Sequence, residues 1–189
     1  MTLSRSKIIL VVLVVIALFI GMWVWTTYNG FISAKESLDN TWAQVETQYQ
    51  RRFDLIPNLQ SIVKGAADFE QETFIAVTQA RTQWQSAGSQ TQKLGAINGF
   101  ESALSRLLLT VENYPDLKAT KNFGDFQVQL EGTENRIAVA RRDYNNEVKR
   151  FNIFVRVFPR NMLAGTFGYE PTAFFGSVEE ASEAPAIEL

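Results

Sequence analysis

The stretch YQRRFDLIPNLQSIVKG, residues 49–65, carries a proline between two segments with helical periodicity. Upstream of Pro57, apolar side chains recur every three or four residues over residues 31–56, which predicts an amphipathic helix. A second stripe of this kind covers residues 59–84 and ends at a small, polar cluster that predicts a loop. Because proline has no backbone N–H and disfavours helical geometry in the residue before it, the helix must bend or end here.

The proline predicts a corner of the fold. A compact bundle needs the chain to reverse, and no other proline lies between residues 31 and 86. We therefore predict a tight interhelical turn with antiparallel helices on either side and with the proline in the first turn of the second helix. The predicted turn residues are Asp54, Leu55, Ile56 and Pro57. The alternative is one kinked helix of about 55 residues, since the apolar stripe keeps its phase across the proline.

Two further apolar stripes predict two more helices. The third stripe covers residues 94–114 and stops at Pro115, and the fourth covers residues 123–158 and also ends before a proline. The fourth has a period of about 3.5 residues, typical of a bundle helix, and contains Gly132, where we expect another backbone to approach. No stretch alternates as a β-strand does. The predicted fold is all-α, with a transmembrane helix followed by an antiparallel up-and-down four-helix bundle over residues 28–159.

Residues 8–25, IILVVLVVIALFIGMWVW, are apolar throughout and long enough for a helix to cross the hydrocarbon core of a bilayer. Trp23, Trp25 and Tyr28 at the end of this segment suit the headgroup region. A cleaved signal peptide is the alternative, but it expects a shorter apolar stretch followed by a small-residue cleavage site. We predict a retained transmembrane helix over residues 8–27.

Charges beside this segment predict its orientation. Arg5 and Lys7 precede it, whereas Lys35 is the only basic residue among roughly the first twenty residues after it. The positive-inside rule then keeps residues 1–7 in the cytosol and exports the rest of the chain.

The chain contains neither cysteine nor histidine. Thiolate chemistry, Ser-His-Asp or Cys-His arrangements and the commonest metal ligand are therefore excluded. The net charge of -2 gives no argument for nucleic-acid binding. We predict a protein that is not an enzyme and that has no catalytic residues, no metal and no cofactor.

Charged residues on the first and fourth predicted helices form a candidate polar network. They are Arg51, Arg52, Asp54, Glu131, Glu134, Arg136, Arg141 and Arg142. If the two helices face each other, the arginines would form an anion site, but salt bridges along bundle faces are the favoured interpretation. Glu131 and Glu134 are one helical turn apart, as in metal-binding bundles, yet di-iron bundles use Glu-x-x-His and this chain has no histidine.

The residues after the fourth predicted helix change in character. Residues 160–176 are rich in glycine and aromatic residues without helical period, whereas residues 177–189 are acidic and are predicted to be a disordered tail. The apolar side chains of residues 160–176 must cover the bundle end, a neighbouring subunit or the membrane surface. The candidate assembly or membrane contacts are Met162, Leu163, Phe167, Tyr169, Phe174 and Phe175.

Several long motifs resemble the bacterial LemA family. Residues 28–65 contain its Tyr-Asn, a Trp one helix later, RRFDLIPNL and VKG; YPDLKATKNF, LEGTENRIAVARRDYN and FNIFVRVFPRNMLAGTFGYEPTAFF follow in the family's order. The resemblance covers residues 28–175. It implies a single-pass protein of the bacterial inner membrane with a four-helix bundle and without established catalytic residues. Related proteins are linked to membrane organisation, including the biogenesis of magnetosome membranes.

These observations lead to one functional hypothesis and two alternatives. We expect the chain to self-associate and to organise or remodel the inner membrane or its protein partners, with the bundle on the periplasmic side. Its expected partners are the lipid bilayer, further copies of itself and other membrane proteins, but no nucleic acid. The first alternative is an exported sensory bundle that binds a small ligand and acts through a membrane partner. The second is an enzyme or protease adaptor.

Overall fold

A computed structural model describes residues 5–63 and 71–176, and within these residues it contains seven α-helices and no β-strand. The helices are α1 (Arg5–Phe53), α2 (Ile56–Val63), α3 (Gln71–Ser86), α4 (Gln90–Val111), α5 (Pro115–Lys118), α6 (Lys121–Arg156) and α7 (Arg160–Ala164). The prediction of an all-α chain is confirmed. Residues 1–4, residues 64–70 and the predicted acidic tail lie outside the described residues.

The apolar segment forms the N-terminal part of α1, and this helix continues without a break into the first amphipathic stripe. The large apolar side chains of the segment are exposed, from 38% at Trp23 to 70% at Phe19, apart from the half-buried Val24. The twenty residues of the predicted span, 8–27, cover about 30 Å as a helix, which is the thickness of the hydrocarbon core. A long, apolar and exposed N-terminal helix is thus a feature of the structure, and lipid is the solvent that suits it.

Two compact units share α1 and α6. Unit 1 consists of Met1–Trp42 and Asp143–Leu189, and unit 2 consists of Ala43–Arg142. Each unit buries apolar side chains that recur every three or four residues along its helices. The periodicity read from the sequence is therefore the pattern that builds both cores.

In unit 1, α1 and α6 run antiparallel. Phe31 on α1 meets Phe154 near the end of α6, with ring centroids 5.3 Å apart. Further along α1, Trp42 meets Tyr144, again with ring centroids 5.3 Å apart. Since the partner's residue number on α6 falls as the number on α1 rises, the two buried stripes face each other over this length.

In unit 2, the end of α1 packs against α3 and α4. The ring of Phe53 lies 4.7 Å from that of Trp84 and 4.5 Å from that of Phe100, measured between centroids. Only three residues separate α3 from α4, and the hydroxyl of Ser89 in this link accepts a hydrogen bond from the backbone N–H of Gln92 at 3.2 Å. The short capped link makes α3 and α4, which are in contact, an antiparallel helical pair.

The long helix breaks close to Pro57. α1 ends at Phe53, Asp54 and Leu55 form a turn, and α2 begins at Ile56 with the proline as its second residue. The missing N–H of the proline falls in the first turn of α2, where a helix has no intrahelical acceptor to offer. Pro57 thus explains why the helix breaks at residues 54 and 55, just before it.

The predicted reversal at this turn is wrong, because α2 continues along α6 in the direction of α1. Before the turn, Tyr49 bonds Arg141 and Arg52 bonds Glu134. After the turn, α2 and residues 122–129 of α6 line a common groove. A reversed α2 would lie beside the residues after Glu134 instead. The chain bends without turning back because its apolar stripe keeps its phase across the proline and α6 offers it a partner in the same direction.

Ion pairs fix the direction of α4 in unit 2. Lys93 lies 2.5 Å from Glu46, and Glu101 lies 2.6 Å from Arg52, measured between nitrogen and oxygen. The numbers rise together, so α4 runs parallel to the end of α1, whereas α6 runs antiparallel to it. The predicted up-and-down four-helix bundle goes beyond these contacts and stays a prediction.

Two smaller expectations differ from the structure. Residues 160–176 have no helical period, yet α7 forms over Arg160–Ala164, with Pro159 as its N-cap residue. Gly132 was expected to be a place where another backbone could approach, but within the described chain none does, since a Cβ atom placed there would meet no atom outside its own helix within 4 Å.

Gly30 tests the packing of α1 on α6 in unit 1, and Gly99, an exposed glycine inside α4, is its control. A Cβ atom at Gly30 would lie 2.8 Å from Cζ of Phe154, whereas one at Gly99 would meet nothing within 4 Å outside its own helix. We expect Gly99→Ala to stabilise the chain by about 1 kcal/mol, the usual cost of glycine in a helix. Gly30→Ala is expected to destabilise it by about 1 kcal/mol, because the cost of overpacking exceeds that gain.

Thermal unfolding of the full chain in detergent, followed by circular dichroism, measures both changes. An equal rise in Tm for the two variants would contradict the close approach of Phe154 to Gly30.

Candidate functional site

Arg52 is the largest fully buried side chain among the described residues, with 2% exposed. Its Nε donates to Oγ1 of Thr133 at 3.3 Å, its Nη1 donates to Oε1 of Glu101 at 2.6 Å, and its Nη2 donates to Oε2 of Glu134. The residue lies at the end of α1, where α4 and α6 flank it and supply these acceptors. A buried charge is tolerated when it is both paired and hydrogen-bonded, and the guanidinium of Arg52 meets this condition.

Glu101 extends this network to Arg141 and Tyr49. Nη2 of Arg141 lies 3.6 Å from Oε1 of Glu101 and donates to the hydroxyl of Tyr49. The guanidinium carbon also lies 5.4 Å from the centroid of the Tyr49 ring, within the range of a cation–π contact. Burial raises the pKa of Tyr49, and the neighbouring Arg141 guanidinium opposes this rise. The phenol is therefore neutral at physiological pH and accepts the hydrogen bond from Arg141.

The network balances its charges within unit 2. The guanidinium groups of Arg52 and Arg141 face the carboxylates of Glu101 and Glu134, and the bonds connect α1, α4 and α6. The donors of Arg52 are directed at protein acceptors, so the arrangement favours salt bridging between helices over an anion site. Within residues 5–63 and 71–176, no three acidic side chains are grouped as metal ligands.

The structure brings three of the predicted network residues together: Arg52, Glu134 and Arg141. The other predicted members are exposed side chains, namely Arg51, Asp54, Glu131, Arg136 and Arg142. Sequence reasoning missed Tyr49 and Thr133 because both occupy stripe positions, which periodicity assigns to the plain core. It missed Glu101 because a single carboxylate beside a stripe looks like a solvated residue. Its position next to the buried Phe100 was the available signal.

Residues 165–176, here called the strap, are held on α6 by two asparagines in unit 1. The side-chain amide of Asn152 donates to the carbonyl of Thr172 at 2.8 Å and accepts from its N–H at 2.7 Å. Asn145 does the same for Phe175, at 3.2 and 2.8 Å. The asparagines are seven residues apart and therefore lie on one face of the helix. Each amide satisfies both backbone groups of one strap residue, which fixes the register of an aperiodic segment.

Aromatic side chains of the strap pack on α1. Tyr169 stacks on Phe31 with ring centroids 4.9 Å apart, and Phe167 meets Tyr28 edge-on at 5.0 Å. Such pairs stabilise a fold by about 0.5–1.5 kcal/mol beyond the burial of their area. The strap therefore covers α1 and α6 of its own chain.

This packing accounts for part of the predicted assembly or membrane contacts. Three of these residues contact α1 within the chain, namely Phe167, Tyr169 and Phe175, the last with its ring centroid 6.4 Å from that of Trp42. Leu163 is half-buried. Met162 and Phe174 remain 68% and 40% exposed, and their contact with lipid or a second subunit stays a prediction.

An open groove of about 390 Å³ lies between α4 and α6 in unit 2, and its walls include Leu108 and Phe123. The charged residues of this groove, Glu112 and Lys118, lie 3.8 Å from each other. A groove of this kind offers apolar area but no cluster of reactive groups.

An exposed apolar helix that continues into a packed helical core, in a chain without cysteine or histidine, defines a class: a membrane-associated helical protein. The model of the LemA family matches residues 41–189, and the chain belongs to the LemA family. The resemblance noted in the sequence is therefore confirmed.

Relatives of the chain include two magnetosome proteins. Magnetosome protein MamQ 2 of Paramagnetospirillum magneticum is 28% identical, and the match covers 85% of this chain and 68% of the relative. Magnetosome protein MamQ of Magnetospirillum gryphiswaldense is 26% identical with the same coverage. Protein LemA of Metamycoplasma hominis is 24% identical, covering 85% of this chain and 72% of the relative. Neither the family nor these relatives are known enzymes.

Arg52→Met tests the buried network. The change keeps much of the side-chain volume but leaves Glu101 and Glu134 without their partner, and we expect the free energy of unfolding to fall by about 3 kcal/mol. Glu101 and Glu134 are 30% and 56% exposed, so water can solvate them after the change, and the expected loss lies at the low end for a broken buried ion pair. Arg51→Met, at the exposed neighbour, is the matched control and should change stability by less than about 0.5 kcal/mol. Urea unfolding of the full chain in detergent gives both values, and equal losses would contradict the network.

Asn152→Asp tests the attachment of the strap. The carboxylate keeps the size of the amide but cannot donate to the carbonyl of Thr172, and it places negative charge beside that oxygen. We expect amide hydrogen exchange in the strap to accelerate by about tenfold, equivalent to one lost hydrogen bond. Asn146→Asp, at an exposed neighbour on α6, is the control. Unchanged exchange in Asn152→Asp, measured by mass spectrometry of strap peptides, would show that the amide does not hold this segment.

Proposed function

We propose that this LemA family member is a non-enzymatic, membrane-anchored helical-bundle protein that self-associates and organises or remodels the bacterial inner membrane or its protein partners. The observation that carries the proposal is α1, which combines an exposed apolar segment of transmembrane length with a buried stripe in a helical core. One continuous helix thereby connects a position in the bilayer to packed helices.

The orientation in this proposal rests on the charges beside the span. Arg5 and Lys7 precede the apolar segment and Lys35 follows it, so the positive-inside rule supports a cytosolic N-terminus and a periplasmic bundle.

The bundle in this proposal is supported by helix directions in unit 2. α4 runs parallel to the end of α1, α6 runs antiparallel to it, and α3 pairs antiparallel with α4. This alternation is what an up-and-down four-helix bundle requires.

A second stripe on α6 supports self-association. Val128 and Val139 are 70% and 47% exposed, and the exposed residues Gly132 and Asn135 lie between them. The spacings of four, three and four residues place all of them on one helix face. Glycine at the centre of this face allows a helix of a second copy to approach closely, and the valines on either side provide apolar area.

Replacing both valines of this face, Val128→Gln and Val139→Gln, tests the self-association. We expect the wild-type chain, extracted with its native lipid, to have a mass that is a multiple of 21.4 kDa after correction for lipid. The double variant should shift toward the single-chain mass, because each glutamine removes apolar area from the contact. Mass photometry measures the distribution.

Ile75→Gln is the matched control, because Ile75 is also an exposed aliphatic residue, at 49%, but lies on α3. This control should keep the wild-type distribution. A wild-type chain that is monomeric in native lipid would contradict the proposal directly.

A further inference from the structure

The C-terminal end of α6 returns to the level at which the predicted span ends. Phe154 contacts Phe31 and lies against Gly30 of α1, and after α7 the strap brings Phe167 onto Tyr28. All of these residues belong to unit 1. Thr27, the last residue of the predicted span, is only 6% exposed, although the apolar residues before it are open. The packed core of unit 1 therefore begins where the apolar segment ends.

This level corresponds to the headgroup layer of a bilayer. Phe31 follows Thr27 by four residues, or about 6 Å along a helix. The polar layer on each side of the hydrocarbon core is about 5–8 Å thick. With the span in the bilayer, α7 and the end of α6 thus lie at the depth of the lipid headgroups.

The surface of unit 1 at this depth carries large apolar side chains without a cover. Ile153, Val157, Phe158 and Met162 are 53%, 46%, 73% and 68% exposed. We call these four residues the juxtamembrane face. Ile153 lies in the last turn of α6, Val157 and Phe158 lie in the link between α6 and α7, and Met162 lies in α7.

The sequence over the juxtamembrane face carries basic side chains. Residues 148–169 contain Lys149, Arg150, Arg156 and Arg160 and no acidic residue. Of these, Arg150 is paired with Glu147, 3.1 Å away. The guanidinium carbon of Arg160 lies 4.3 Å from the ring centroid of Phe154. An aromatic and aliphatic surface bordered by arginines is the composition of a segment that lies in a membrane interface.

We propose that the juxtamembrane face inserts into the headgroup layer of the bilayer that α1 crosses and binds anionic lipid there through Arg156 and Arg160. The inference rests on the anchored state of the proposed function and adds a lipid class and a contact surface to it. Lipid is the occupant because the span fixes the depth of this face. The arginines match the phosphate of an anionic headgroup, and the four apolar side chains match the acyl chains below it.

Single cysteines test the depth of this face, because the chain has no cysteine of its own. Phe158→Cys and Met162→Cys carry a spin label, and Asn146→Cys is the control. Asn146 is exposed on the same helix in the same unit, ten residues or about 15 Å from its end at Arg156. The full-length protein is reconstituted in vesicles of phosphatidylcholine with phosphatidylglycerol, and collisions with oxygen and with a water-soluble nickel chelate are measured. Labels at 158 and 162 should collide more with oxygen and less with nickel than the label at 146.

The lipid class is tested by repeating the measurement in pure phosphatidylcholine and with Arg156→Gln and Arg160→Gln. In anionic vesicles, each arginine change should lower the ratio of inserted to free label by about fivefold, and the difference between variants should vanish in neutral vesicles. Nickel accessibility at 158 and 162 equal to that at 146 would overturn the insertion. An inserted fraction that changes neither with lipid charge nor with the arginine substitutions would overturn the anionic-lipid contact.

A second copy on this face gives a different signal. Labels would then be shielded from oxygen as well as nickel, and dilution with unlabelled protein would remove dipolar broadening; this result would also overturn the proposal. The oligomer mass of the same samples is read independently, so a failure of self-association is distinguished from a failure of insertion.

Discussion

Much of this structure depends on one helix, α1, whose first part has an exposed apolar surface suited to lipid and whose second part is packed against protein. α1 is apolar on all sides over residues 8–25 and amphipathic from Phe31 onward, and no break separates the two parts. Within unit 1, the second part is covered by α6 and the strap, whereas the first part has exposed side chains. Since a rigid helix fixes both rotation and depth, the boundary near Thr27 decides which side chains can meet lipid and which must find protein partners.

Apolar stripes bring helices together but specify their register weakly, and polar contacts make up for this in both units. A slip of α6 by one turn would keep many apolar contacts, yet in unit 2 it would separate Arg52 from Glu134 and leave the buried guanidinium with one of its two carboxylate partners, Glu101 on α4. In unit 1, Asn145 and Asn152 fix the position of the strap along α6, because each bonds the backbone of one particular strap residue. We infer that these polar groups contribute register more than net stability.

Local signals in the sequence predicted the features that local physics controls. The apolar segment, the all-α class and the ends of α4 and α6 follow from periodicity and prolines. Pro57 shows the limit of such signals, because a proline dictates that a helix breaks but not where the chain goes next. That direction depends on α6, more than sixty residues away in the sequence. Glu101 and the two asparagines escaped notice for a related reason, since a polar residue reveals its partner only when the tertiary register is known.

The strap changes the reasoning about surfaces. An aromatic, aperiodic C-terminal segment appeared to need a neighbouring subunit or lipid, but Tyr169 and Phe175 find partners within the chain. The apolar area that still needs a partner is divided between the units. In unit 1 it adjoins the residues at the end of the span and carries arginines, which suits lipid. In unit 2 it is the valine face of α6, where Gly132 leaves room for a second backbone, which suits another protein helix. The same kind of exposed side chain therefore takes a different partner according to the charges and the backbone beside it.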